Sequence, residues 1–197
     1  QVQICAGEGG WIEPDYTALK IAGGSFHSLV LLEEHGLVGW GRNFFLEATV
    51  PPAVNTLENP VIKIEAGRQH TVALLSDGSI VCWGSNNNNQ CQVPPGVGGP
   101  KNPAVDIAAG WDHTMACLAD GTVHCWGRDN AGKLDPPEGI GLVVEVSAGR
   151  NHSMARLDDG SVVCWGSSNS GETDVPVDLG PAIAIAAGFS HSVALTT

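Results

Sequence analysis

At 197 residues, with 43% apolar residues, 26 Gly and 12 Pro, the chain can bury a real core and is too apolar to be disordered, and no linker interrupts it, so residues 1–197 are expected to form one domain. Its net charge of −12, from 9 Lys and Arg against 21 Asp and Glu, would repel a polyphosphate, which excludes nucleic acid as a natural partner and leaves only a slight preference for basic proteins. No apolar run approaches the roughly 20 residues of a membrane span and no basic-then-apolar leader opens the chain, so membrane insertion is not expected and the chain reads as soluble and already processed.

The chain opens with QVQICAG, a short strand pattern carrying Cys5 and Ala6. Five copies of one motif follow: IAGGSFHS, IEAGRQHT, IAAGWDHT, VSAGRNHS and IAAGFSHS. They place His27, His70, His113, His152 and His191 at steps of 43, 43, 39 and 39 residues. Fixed periods of this size mark stacked supersecondary units. Within a unit, VIKIEAG, HTVALLS, GSIVCWG and a ragged QCQVPP segment run apolar or alternate over strand-length windows, with Asp-Gly or Pro-Pro between them. That pattern predicts a four-stranded antiparallel sheet per repeat. Asp77-Gly78, Asp120-Gly121 and Asp159-Gly160, with His35-Gly36 in the first unit, are expected as hairpin turns, because glycine accepts the positive φ such turns need.

The first four copies each end in a strand closing on Trp-Gly (LVGWG, IVCWG, VHCWG, VVCWG), whereas the fifth runs HSVALTT and stops. QVQICAG matches the missing strand, with Cys5 near the place that Cys164 holds after His152 and Ala6 where the others carry Trp. The fold class expected is therefore all-β: a five-bladed propeller of four-stranded antiparallel blades, closed by pairing of the N- and C-terminal strands, which removes open sheet edges and marks the chain as complete.

The repeated histidines would suit a ring of metal ligands, but one His per blade at one fixed point is better read as a hydrogen bond repeated five times. No metal and no cofactor are expected. Cys5, Cys82, Cys125 and Cys164 recur before Trp-Gly or its equivalent as small packing residues. Cys91 breaks that pattern. A turn in SNNNN would set Cys82 opposite Cys91 within reach of a disulfide, while Cys117 and Cys125 are a poorer second pair, off by about one residue. Trp40, Trp83, Trp126 and Trp165 are expected to pack between blades; Trp11 and Trp111 lie outside that register and are freer to act.

The variable pair inside each A-G-x-x-H differs from loop to loop: Ser25 and Phe26, Arg68 and Gln69, Trp111 and Asp112, Arg150 and Asn151, Phe189 and Ser190. Enrichment in Trp, Phe and Arg is the composition of binding hot spots. Phe26, Arg68, Trp111, Asp112, Arg150 and Phe189 are thus the candidate partner-binding residues, on one face around the channel mouth. No nucleophile elbow, phosphate-cradling loop, His-Glu-x-x-His or calcium loop is present. The paired carboxylates Glu33-Glu34 and Asp158-Asp159 fall in turns. A catalytic role is not expected.

The units follow I-A-A-G-x-x-H-S-x-A-L-x-x-D-G-x-V-x-x-W-G-x-N-x-x-G-Q-x-x-V-P over residues 18–197. In this they resemble the regulator-of-chromosome-condensation repeat family, and most closely its short form of about 39 residues, found in secreted bacterial propellers and propeller-type β-lactamase inhibitor proteins. The resemblance implies a propeller that recognises a protein through one face, as an inhibitor or an accessory subunit of a larger assembly. A carbohydrate-binding propeller lectin is the alternative, since aromatic faces stack on sugars. Cysteine content and a mature-looking Gln1 lean toward a secreted protein or an organelle lumen.

Overall fold

The repeat pattern sets the architecture because no sheet here can bury both of its faces by itself. The computed structural model describes residues 5–6, 10–11, 17–33, 36–54 and 56–197. A short pair, β1 (Cys5–Ala6) and β2 (Gly10–Trp11), precedes the repeats. The first sheet is β3 (Ala18–Gly23), β4 (His27–Leu32) and β5 (Gly36–Gly41). The second is β6 (Val61–Ala66), β7 (His70–Leu75) and β8 (Ile80–Gly84). The third is β9 (Ala104–Ala109), β10 (His113–Leu118) and β11 (Val123–Gly127). The fourth is β12 (Val143–Ala148), β13 (His152–Leu157) and β14 (Val162–Gly166). The fifth has two strands, β15 (Ala182–Ala187) and β16 (Ser192–Thr196). All pairings are antiparallel, and β3, β6, β9, β12 and β15 stand innermost, side by side around an axial cleft.

Two expectations are overturned. The sheets have three strands rather than four, and they form an open arrangement of about four blades with a two-stranded fifth sheet, not a closed five-bladed ring. The segments meant for fourth strands turn instead: Leu46 and Asn89 take φ of 62° and 63°, and the equivalent Gly132 and Gly171 take 72° and 76°. A left-handed residue at that point ends any ladder and turns the next residue in against the following sheet. The expected closing strand finds a local partner, because Cys5 pairs with Trp11 and Ala6 with Gly10 rather than with β16. His35 of the first hairpin turn and Glu34 lie outside the described residues. The other three turns form as expected, with Gly78 N–H bonded to Leu75 O and the Asp77 side chain holding Ser79 N–H.

Each core lies between neighbouring sheets. Leu29, Leu31 and Leu37 of the first pack against Val61, Ile64 and Trp83 of the second. Val72 and Leu74 face Ile107, Leu118 and Trp126, and Met115 and Cys117 face Val146, Leu157 and Trp165. The Trp-Gly glycine turns the chain out of the third strand, at φ 101° for Gly84 and 117° for Gly127, where an L side chain is strained. Its tryptophan reaches across: Trp83, Trp126 and Trp165 donate from Nε1 to Glu47 O, Gln90 O and Lys133 O at 3.1, 2.9 and 3.0 Å. No helix among the described residues is long and apolar enough to cross a membrane.

Candidate functional site

Histidine fixes four of the five loops from below, whereas His191 of the fifth is exposed and makes no such bond among the described residues. His27, His70, His113 and His152 are buried, and each Nε2 reaches the hydroxyl of the next sheet: Thr71, Thr114, Ser153 and Ser192, at 2.9 to 3.2 Å. Those hydroxyls donate onward to Glu47 O, Gln90 O, Lys133 O and Glu172 O. Their protons are thus spoken for, so the hydroxyl oxygen accepts and each imidazole is the neutral form protonated at Nε2. Burial lowers all four pKa values, that of His70 to about 3. Glycine of A-G-x-x-H is needed because a Cβ on Gly149 would press against the His152 ring and lie 2.6 Å from Gly188 O.

Above these struts the loops are belted together through their backbones. Ser25 N–H donates to Gly67 O, Arg68 N–H to Trp111 O, Trp111 N–H to Gly149 O and Arg150 N–H to Phe189 O. The belt holds the variable side chains in fixed order. Arg68 and Arg150 stand over the Trp111 ring at 4.9 and 4.3 Å, Arg150 also covers Phe189 at 4.7 Å, and Trp111 meets Phe189 edge-on at 4.8 Å. Four of the six candidates therefore form one stack. Asp112 lies at its margin, 3.9 Å from Arg128. Phe26 is apart, with Arg42 over its ring at 5.0 Å; Arg42 also covers Phe44 and donates to the Gln69 amide oxygen.

Arg42 and Arg128 are the residues that the sequence reading missed. Each follows Trp-Gly and donates its backbone N–H to the second variable residue of its own loop, Phe26 O and Asp112 O, both at 2.8 Å. Arginine after Trp-Gly in two units, where the others carry Ser85 and Ser167, was the available signal. Lys133 was missed too. It fills the place held by Glu47, Gln90 and Glu172, is 1% exposed, and donates to Arg150 O at 3.2 Å. Burial, with help from neighbouring arginines, pulls its ammonium down to about 8.

The two cysteines singled out do meet: Cys82 Sγ lies 2.7 Å from Cys91 Sγ, both as thiols. Cys125 pairs with Met115 in the ladder, two places from Cys117, and the Cys117 thiol donates to Val143 O at 2.9 Å. The Trp11 side chain lies outside the described residues.

Residues 19–45, 61–90, 104–133 and 143–172, together more than half of the chain, match the family model described as regulator of chromosome condensation (RCC1) repeat. No curated protein matches in sequence. Among solved structures, the chain is similar to Prp20p of Saccharomyces cerevisiae, studied for binding to Gsp1p and histones (21% identity, TM-score 0.75, 93% of this chain and 56% of that one). It is also similar to human WBSCR16 (18%, 0.78, 95% and 61%) and to the CRINKLY WD40 ectodomain of the Arabidopsis thaliana receptor kinase ACR4 (24%, 0.74, 93% and 62%). The chain spans about half to three-fifths of the length of these proteins, and at such identities the likeness is one of fold.

Proposed function

The chain belongs to the regulator of chromosome condensation (RCC1) repeat family, and from that premise we propose that it is a non-enzymatic protein-recognition module, an inhibitor or accessory subunit that docks its partner on the A-G-x-x-H face. The observation that carries this reading is the belted stack of Arg68, Trp111, Arg150 and Phe189: aromatic and arginine anchors held in place before binding, so that little ordering is required on contact. Phe26 and Phe189, about half exposed, extend the face. Proteins of this fold provide the precedent, since Prp20p has been crystallised with Kap60 bound. The lectin reading loses ground here. Two guanidinium groups and Phe189 engage the Trp111 ring, so the ring is not free to stack on a sugar. A secreted or lumenal setting is part of the same proposal, in which Cys82 and Cys91 would be oxidised.

Capture of the native partner by wild type, Trp111→Ala and Leu57→Ala tests it. Leu57 is fully exposed, close to Asn59, which bonds the hairpin turn at Ser76 and Asp77 on the far side of the sheet. Trp111→Ala should weaken capture by about 2 kcal/mol or more while Leu57→Ala leaves it unchanged. Equal capture by all three removes the face from consideration.

A further inference from the structure

Resting on the reading of this face as a docking surface, we propose that the partner segment it takes is acidic, with a carboxylate seated among the guanidinium groups of Arg68, Arg128 and Arg150 beside Trp111. The argument starts from charge. In a chain of net charge −12 with five arginines, four of them, Arg42, Arg68, Arg128 and Arg150, stand on this one rim. The fifth, Arg156, is bonded to Glu145 at 2.6 Å away from it. A pocket of about 250 Å³ opens between the loops, with those three arginines, Asn130, Asn151 and the single carboxylate of Asp112 around it. Lys133 lies buried alongside, its Nζ against Arg150 O and Asn151 Oδ1. Positive charge is thus concentrated where the rest of the molecule is negative.

The arginines are also underused. Among the described residues, Arg128 has only the 3.9 Å carboxylate contact with Asp112, and neither Arg68 nor Arg150 has a carboxylate partner. Buried Arg68 Nε has no acceptor among the described residues. Stacking on Trp111 fixes the guanidinium planes without consuming their N–H groups, and leaves the donor edge free for the two-pronged pairing that a carboxylate accepts. A phosphate dianion would bring two charges next to Asp112, and a nucleic acid would meet the acidic remainder of the molecule. Trp111 and Phe189 beside the pocket favour a segment in which apolar residues flank the acid.

Fluorescence anisotropy with the whole chain tests this, using three labelled peptides of equal length: one alternating Glu and Leu, one with Gln for Glu, and one with phosphoserine for Glu. The Glu peptide should bind at least tenfold more tightly than the Gln peptide, weaken with added salt, and lose tenfold or more with Arg68→Gln/Arg150→Gln, a variant that should melt close to wild type. Arg→Lys at both sites should lose nearly as much, because an ammonium cannot stack and fork. Equal binding of Glu and Gln peptides, no binding of the Glu peptide, or tighter binding of the phosphoserine peptide would overturn the proposal. So would salt-sensitive self-association that the Arg variant abolishes, which would make a second copy the occupant. If Trp111→Ala abolishes partner capture and the double Arg variant does not, the docking surface stands and the acidic partner fails; if neither affects capture, both fail.

Discussion

Ile21 and Ile64 hold the same place in successive repeats, yet one is 77% exposed and the other 3%. Ile107, Val146 and Ile185 follow Ile64, all under 10%. The difference is not in the strand, since β3 and β6 pair with their second strands in the same register, down to the same irregularity near the first residue. It lies in what stands next to each sheet. A preceding sheet covers Ile64, and no described sheet covers the outer side of β3. The fifth sheet shows the converse face: Val193 and Leu195 are more than half exposed, where Val72 and Leu74 are buried between sheets. Stability here is an interface property, as in other repeat proteins, and the interior blades should hold most of it.

The largest test of that contrast is tryptophan removal. Trp83 is buried between two sheets with its Nε1 on Glu47 O, so Trp83→Ala should cost about 3–5 kcal/mol in urea unfolding. Trp40, half-buried on Val30 and Leu32 of its own sheet, should cost roughly half that. Equal losses would mean that the first sheet is covered in solution as fully as the second.

Acid should act on the interior struts next. An unfolded histidine titrates near 6.5, whereas His70 in the fold titrates at about 3. Between those values the unfolded chain binds a proton that the folded chain refuses. The contribution is therefore fully present above about pH 6.5 and is lost as pH falls toward 3, at about 1.4 kcal/mol per pH unit for one such group. At pH 5 that is about 2 kcal/mol for His70, with further losses from His27, His113 and His152, whose pKa values are also lowered. Urea midpoints measured from pH 7.5 to 4.5 should decline, and His70→Gln should flatten the slope. A midpoint independent of pH over that range would remove the buried neutral histidines.

How much of this was legible follows from what kind of partner each residue has. The three Asp-Gly hairpin turns and the Trp-Gly strands depend on neighbours in sequence, and they form where they were expected. Five recurring histidines signalled a repeated bond, and His27, His70, His113 and His152 make it to the hydroxyl one sheet on, while His191, with no further described sheet beyond its own, stands exposed. QCQVPP was misread because its alternation suits a strand. Asn89 at positive φ instead buries Gln90, whose carbonyl accepts from Thr114 and Trp126 of the next sheet. Closure was misread for a related reason: likeness of QVQICAG to a third strand says what could pair, while β1 finds β2 close by. The variable loop residues stood out against constant flanks, but Arg42 and Arg128 did not, since an arginine after a turn glycine looks like any solvated charge.

Blade two carries a feature that the other interior blades lack. Cys82 has Cys91 at 2.7 Å, whereas Leu134 and Thr173 stand where Cys91 would be in the next two units. We propose that a mild oxidant such as oxidised glutathione joins Cys82 to Cys91 and that a mass spectrum shows the loss of two hydrogens within one peptide pair. The short loop closed limits the stabilisation to about 2–3 kcal/mol. Cys117, fully buried with its thiol on Val143 O rather than facing another cysteine, should stay reduced. Oxidation elsewhere first would show that the Cys82–Cys91 approach does not persist in solution.

The smallest effect belongs to the residue that opened the comparison. Ile21→Ala removes a side chain that already meets solvent, so its unfolding free energy should stay within about 0.5 kcal/mol of wild type, while Ile64→Ala opens a cavity worth about 2–5 kcal/mol. Both substitutions delete the same atoms from the same repeat position, so strand propensity cancels and only the neighbouring sheet differs. The measurement is most informative at two protein concentrations. A cost for Ile21→Ala that grows with concentration would place a second copy on the outer side of β3. A cost equal to that of Ile64→Ala at every concentration would mean that the chain covers this face itself, and the contrast between end and interior sheets would then fail.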